Sequence, residues 1–231
     1  MRIVGTFIAI LLTLCTVREA RAQGHLYSVS FSGGWTTSSK LFRQPGDPDE
    51  FVRSEYLPLN DLFSAGIDIR RNFETLRIQL GLSVEYIAKT EATVDDAMIP
   101  VRDGFTAVPI ELSGYFMIPI GGERSQVYMG AGAGAYFGSR NYAKALADAP
   151  TVDRKTGFGI HVLGGFQYVL NQWFALRTEV KFRDVQFETV NAFRSSTVQY
   201  LGTDVLVNSS PFESRMNIDG MILSLGLVYS I

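Results

Sequence analysis

Nine charged residues sit where charge is costly. Asp68, Arg70, Arg77, Glu85, Glu111, Arg177, Glu179, Lys181 and Arg183 fall on alternate positions of stretches whose other residues are large and apolar. Period-two alternation marks a strand with two unlike faces. Such a set of charges offers two chemistries, a selective pore lining or an ion-paired plug. Five bases against four acids come close to balance, which suits pairing better than selection of one sign of ion. Removing one member of a buried pair strands the other charge, so the set reads as a mutually dependent network.

The remaining candidates for chemistry are few. Gly130, Gly132 and Gly134 resemble a phosphate loop in spacing, but no Lys-Ser/Thr follows and no helix begins there. A phosphate cradle needs both, so the glycines read as space for large neighbouring side chains. Of the two histidines, His25 reads as solvated and His161 as inward-facing. A hydrolase would need a nucleophile and an acid around His161, and no local motif marks them. Two distant histidines and a lone cysteine, Cys15, give no metal set. Neither a cofactor nor a catalytic residue is assigned, and the chain is read as a non-enzyme. Asn208-Ser209-Ser210 fits a glycosylation sequon, a pattern too short to carry weight alone.

The elements that must position the charges are strands. The pattern predicts them over Tyr27–Trp35, Leu62–Arg70, Leu76–Lys89, Ala107–Ile118, Gln126–Gly138, Gly157–Leu170, Trp173–Arg183 and Met221–Ile231. The third alternates most cleanly, with Leu76, Ile78, Leu80, Leu82, Val84 and Tyr86 against Arg77, Gln79, Gly81, Ser83 and Glu85. The connections run long, short, long, short, long, short, long. Long segments cover 37–60, 89–105, 139–156 and 184–216; short ones lie at 71–75, Gly121-Gly122 and Asn171-Gln172. Apolar residues in 184–216, among them Phe187, Phe193 and Val207, suggest strand extensions or a packed cap.

A secreted barrel of the lipocalin kind also alternates. Volume separates the two. The apolar parity supplies about forty side chains with no charge among them. An eight-stranded barrel encloses only modest side chains, so the large parity must face outward, into lipid. The other parity, rich in Gly and Ser, suits a crowded lumen. Arg or Lys on the outer face would cost about 2–4 kcal/mol at mid-bilayer. Tyr27, Trp35, Tyr86, Phe137, Phe158, Tyr168, Phe174, Phe182 and Tyr229 fall near strand ends, where interfacial girdles sit. The fold class is all-β: an eight-stranded antiparallel transmembrane barrel with short periplasmic turns, long extracellular loops and both termini periplasmic.

Residues 1–22 read as a secretory signal peptide. Arg2 is the positive end, Ile3–Val17 the apolar stretch, and Ala20-Arg21-Ala22 the cleavage site. Leu14 before Cys15 is too large for a lipoprotein signal. The barrel domain is then 23–231. Taking Arg2, Arg18, Arg21 and Glu19 from the 21 basic and 23 acidic residues leaves 18 and 22, a net charge of −4. That balance excludes a nucleic-acid surface. It also leaves a mature chain without thiols.

Four motifs carry a resemblance. Tyr128–Phe137 (YMGAGAGAYF), Gly164–Tyr168 (GGFQY), Leu176–Glu179 (LRTE) and Ser224–Tyr229 (SLGLVY) resemble the outer-membrane protein β-barrel domain family, relatives of the small OmpA, OmpX and OmpW barrels. The likeness spans the mature chain and implies architecture more than activity. It implies insertion by the barrel assembly machinery with periplasmic chaperones, outer-membrane lipid as surroundings and a monomer. Leu223, Leu225, Leu227, Tyr229 and Ile231 would form the assembly signal strand, although Ile231 stands where the family has Phe. No peptidoglycan-binding domain follows the last strand, unlike full-length OmpA. Three functions fit: a structural or surface-interaction protein meeting an unidentified extracellular ligand through its loops, a narrow channel for small or apolar solutes, and, weakest, a lipid-modifying enzyme using His161.

Overall fold

A computed structural model describes residues 25–95, 97–120, 122 and 124–231; residues 1–22 of the expected signal peptide lie outside the described residues. Eight strands form the barrel: β1 Tyr27–Thr36, β2 Leu62–Phe73, β3 Ile78–Val94, β4 Pro100–Ile118, β5 Ser125–Lys144, β6 Gly157–Val169, β7 Phe174–Asn191 and β8 Met221–Ser230. Each pairs antiparallel with its neighbour in sequence. Closure comes from β8 on β1, with Val29 opposite Tyr229 and Trp35 opposite Leu223. The tie is finished by Ile231, whose N–H donates to the Tyr27 carbonyl at 2.8 Å.

The strands are longer than the apolar pattern alone suggests. Two expected loops, 89–105 and 139–156, are largely strand: β3 and β4 run on to a turn at 95–99, with Val94 opposite Pro100. The physical reason lies in a change of solvent along the strand. On β7, Arg177, Glu179, Lys181 and Arg183 face the lumen and Val180 and Phe182 face outward. One step further the faces exchange character. Val185 and Phe187 turn inward and are buried, while Asp184 and Gln186 are exposed. The outside has become water and the inside has become an ordinary core. A 20-residue strand such as β5, tilted about 40°, rises about 50 Å, roughly twice the ~25 Å apolar band of such a barrel.

Above the apolar band the barrel is continued by a crown of shorter strands. Phe212–Ile218 takes over from β8 as the partner of β7, with Phe187 opposite Met216. Lys40–Phe42 pairs with Phe212–Ile218, and Tyr56–Pro58 pairs with Lys40–Phe42. Thr151–Lys155 lies along the other edge of upper β7. A separate hairpin, Thr197–Tyr200 with Thr203–Leu206, caps the top. The segment 184–216 is thus a strand extension and a packed cap. A five-residue helix, α1 Glu50–Ser54, sits in the first excursion, its N-terminus capped by Asp49 accepting from the Phe51 N–H at 2.9 Å. Among the described residues no helix is long and apolar enough to cross a membrane, which leaves crossing by strands untouched.

Candidate functional site

The lumen is built by the inward parity of the strands, and it is filled from end to end. At the turn end, Val169, Ala175 and Val228 make a small buried apolar seal. Above it lies a first charged layer. Arg177 bonds the Gln167 side-chain oxygen through Nε and Nη2 (3.2 and 3.0 Å) and reaches Ser30 and Asp68 through Nη1. Arg70 donates to Asp68 at 2.8 Å and to Glu179 at 2.6 Å, and its guanidinium lies 3.7 Å from the centre of the Tyr115 ring. The Tyr128 hydroxyl donates to Glu179 and the Tyr115 hydroxyl to Asp68.

A second layer follows two residues up each strand. Arg183 donates to Glu85 at 2.5 Å; Lys181 donates to Glu111 at 2.7 Å, and the Tyr136 hydroxyl closes on the other Glu111 oxygen. Glycines make the room. A Cβ on Gly165 would collide with the Tyr128 ring, and one on Gly132 would lie 2.7 Å from the His161 ring. Between the layers, along β1, β2, β3 and β8, remains a polar cavity of about 40 Å³ beside Ser64, Ser83 and Lys181, room for a water or two.

Eight of the nine charges predicted from parity therefore meet in the lumen. Arg77 does not. The residues before it form a 3-10 turn, Glu74–Leu76, and Arg77 itself has a φ of 54°, so the chain has left the pleat and the side chain is exposed. The β3 alternation begins only at Ile78, so its parity does not extend back to Arg77. Its removal leaves four bases, Arg70, Arg177, Lys181 and Arg183, against four acids, Asp68, Glu85, Glu111 and Glu179. The lumen set is formally neutral.

His161 is buried, and its Nε2 is 2.8 Å from the Ser113 hydroxyl. Glu111 stands 3.9 Å from Nδ1. Serine, histidine and acid thus occur in hydrolase order, but the acid is engaged by Lys181 and Tyr136, its distance is too long to orient the ring, and both Ser113 and His161 are closed off. The arrangement packs; it has no approach for a substrate. No group of three or more metal-ligating side chains occurs among the described residues.

Above the charges the interior turns apolar. Leu41, Leu59, Leu62, Ile87, Phe105, Val185, Phe187, Met216 and Ile218 pack into one cluster with Tyr136. Over that lies a buried pair the sequence reading missed: Arg140 holds Asp103 through Nε at 2.8 Å and Nη2 at 2.7 Å and donates to Ser214 at 2.6 Å. Its only sequence signal was the unbroken inward parity Val101, Asp103, Phe105, Ala107. The cap adds Ala149, Phe193 and Val207, with Tyr142 and Phe212 packed edge-on. At the tip of the β3–β4 hairpin, Asp95 binds Lys144 at 2.9 Å and accepts from the Ile99 and Ala97 N–H groups, which together hold its carboxyl below the usual range.

The expected assembly strand forms the lipid-facing side of β8. Leu223, Leu225, Leu227 and Tyr229 point outward and are exposed, and Ile231 lies just past the strand end.

No protein-family model matches the sequence, and no curated protein matches it. Solved structures do. The outer membrane protein OprG from Pseudomonas aeruginosa superposes with a TM-score of 0.65 at 12% identity, over 92% of this chain and 99% of that one. Neisserial surface protein A superposes at 0.49 with 13% identity, over 89% and 97% of the two chains. The attachment invasion locus protein Ail of Yersinia pestis reaches 0.43 with 11% identity, over 88% and 98%. At these identities the likeness concerns architecture, and the first carries it. Closed ring, outward apolar belt and superposition agree: the chain has the fold of the small eight-stranded outer-membrane barrels.

Proposed function

We propose that the mature protein, released from residues 1–22, is a non-conducting barrel of a bacterial outer membrane that acts through its crown as a structural or surface-interaction protein. In this reading the turn end and both termini face the periplasm and the crown faces out. One observation carries it: the lumen is occupied along its whole length by an apolar seal, two ion-paired layers and an apolar core. Full pairing leaves no net charge to select an ion. The glycines that admit Tyr128 and His161 are devices for filling the bore. The crown is where the chain invests its extra length, and strained apolar residues stand at its tips. Met98 (φ 60°) and Leu201 (φ 51°) are left-handed and exposed. Left-handed backbone costs a non-glycine residue about 1–2 kcal/mol, and strain of this kind gathers at working sites.

The test is single-channel recording from mature protein refolded into a planar bilayer, with heat-modifiable migration on a gel as proof of folding. Silence from folded protein is expected. Reproducible discrete openings would sink the proposal and make the protein a narrow channel, with Arg177, Glu179 and Glu111 the residues to neutralise next.

A further inference from the structure

The wall of the crown splits in one place. Upper β5 and the chain returning from it are paired below, at Tyr136 opposite Gly157, and again above, at Tyr142 opposite Ala149. Between these pairs residues 137–141 of β5 face residues 150–156, and no ladder joins them. Thr151–Lys155 pairs with upper β7 instead. Asn191 closes the split from inside. It is fully buried, and its side-chain amide donates to the carbonyls of Arg140 and Ala149 at 3.1 and 2.8 Å, a substitute for missing ladder bonds. Outside remains a cleft of about 610 Å³, a size common to small-ligand sites.

The lining decides what fits, because donors and acceptors are mixed in it. Arg102 and Arg154 donate, the Asp148 carboxylate accepts, and the Thr90 and Ser139 hydroxyls do either. Asn141 gives its Nδ2 to Thr106 at 2.7 Å, which leaves its side-chain oxygen to accept. Arg102 and Asp148 meet at 3.4 Å with both side chains more than half exposed, a weak pair that presents a donor beside an acceptor. A phosphate only accepts, and Asp148 would repel it. An extended peptide needs a continuous strand edge, and this edge is shut by pairs at both ends. A sugar hydroxyl both donates and accepts, so neighbouring hydroxyls satisfy Arg102 and Asp148 together. Ala143, Ala149 and Pro150 add an apolar floor for the C–H face of a ring. Arg154 is exposed and makes no ion pair among the described residues, a fork free for a carboxylate. Height sets the source of the ligand. Arg102 lies opposite Ala143, six residues above Phe137, the last large apolar outward residue of β5. Six residues span about 20 Å of strand, which even when tilted clears a headgroup layer of roughly 5–8 Å. The ligand comes from the medium.

We propose that the cleft binds a soluble acidic oligosaccharide, with hydroxyls on the Arg102–Asp148 pair and a uronate carboxylate on Arg154. The inference rests on the reading of the crown as the interaction surface and names its ligand class. The experiment places the mature protein in phosphatidylcholine nanodiscs, which hold no glycolipid. A galacturonic acid trimer is titrated in by calorimetry, beside the same trimer with its carboxyls reduced to alcohols. One saturable site is expected for the acidic trimer, with the reduced trimer bound roughly tenfold more weakly for want of the charge-assisted bonds. Arg154→Gln should bring the acidic trimer down to the level of the reduced one. Asp148→Ala should weaken both, because their hydroxyls lose an acceptor. Arg53→Gln, in the crown but outside the cleft, should change neither. Equal affinity of the two trimers for the wild type would overturn the proposal without any variant, as would no saturable binding of either to heat-modifiable protein. Tighter binding of the acidic trimer to Asp148→Ala would overturn it too, and make the cleft a plain anion patch. A barrel that opens in single-channel recording yet binds the trimer would remove the sealed lumen and keep this site; a silent barrel that binds neither trimer would do the reverse.

Discussion

The lower and upper halves of this barrel use the same strands and obey opposite rules. In the belt, Leu80, Leu82 and Val84 of β3 face outward and are exposed, while Glu85 faces in. In the crown, Phe187 and Val185 of β7 face inward and are buried, while Gln186 faces out. Nothing in the backbone changes between them; β7 runs unbroken through both. The difference lies in the solvent each half meets. Lipid imposes no penalty on exposed Leu and a steep one on exposed charge, so the belt hides its polar groups and must satisfy them internally. Water reverses the preference, and the crown folds around a conventional apolar core. The exchange occurs at Arg183–Val185, where the last inward charge of β7 gives way to the first buried apolar residue.

The strongest way to break this comparison is at that junction. Arg183→Leu removes a cation from two lumen acids, Glu85 at 2.5 Å and Glu111 at 3.9 Å. Stranding one member of a buried pair costs about 3–5 kcal/mol, so urea unfolding in lipid vesicles should show a loss of that order. Adding Glu85→Leu should recover part of it, because the second change removes a charge that no longer has its partner. A double variant worse than the single would mean that the loss of Arg183 does not strand Glu85, which then keeps favourable contacts of its own.

Phe187→Ala attacks the crown alone. Truncating a buried Phe costs about 3–5 kcal/mol, but the loss should be confined to the upper half. Hydrogen exchange should quicken in Phe212–Ile218 and in the segment around Leu41, which pack on Phe187, while β3 residues 78–84 stay protected. Uniform loss of protection would show that belt and crown unfold as one unit and that the distinction is chemical only.

A matched pair of outward substitutions tests the solvent argument itself. Leu80→Arg places a charge in lipid and should cost about 2–4 kcal/mol or block assembly. Gln186→Arg, outward on upper β7, should stay within about 0.5 kcal/mol. Equal effects would mean that the boundary is misplaced.

The same contrast explains what could be read from the chain and what could not. β3 and β8 were legible because inside and outside keep one character over most of their length. The upper strands were not, because a reader following polar-in, apolar-out must stop at Arg183, where Val185 and Phe187 break the rule. Phe193 and Val207 betrayed a packed cap but not its partners, since Tyr142 and Ala149 come from another segment of the chain and meet them only in the fold. Arg77 failed for a local reason: a tight turn shifts the phase, and alternation carries no mark of where pleat gives way to turn. Asp103 and Arg140 lay in segments taken as loops, and a buried pair between two loops has no signature in either. The lumen layers fared best, because burying a charge demands a partner of opposite sign, and that demand is visible in the balance of the set.

The smallest effect belongs to the crown's edge. Asp95 is half-buried, and its carboxyl is held below the usual range by Lys144, with the Ile99 and Ala97 N–H groups adding to it. A carboxyl whose folded value is depressed adds stability above its unfolded value, and that stability is lost as pH falls through the folded one. At neutral pH the β3–β4 tip should therefore be pinned. Below the ordinary carboxylate range it should fray, with the Ile99 amide exchanging faster, after correction for intrinsic rate, while Ile87 and Phe105 stay protected. Asp95→Asn should show the acid behaviour at neutral pH. In the belt no comparable response should appear over the same range, because its acids are enclosed by their partners. A belt that loosens first on acidification would mean that the lumen charges, and not the hairpin tip, are the weaker electrostatic assembly.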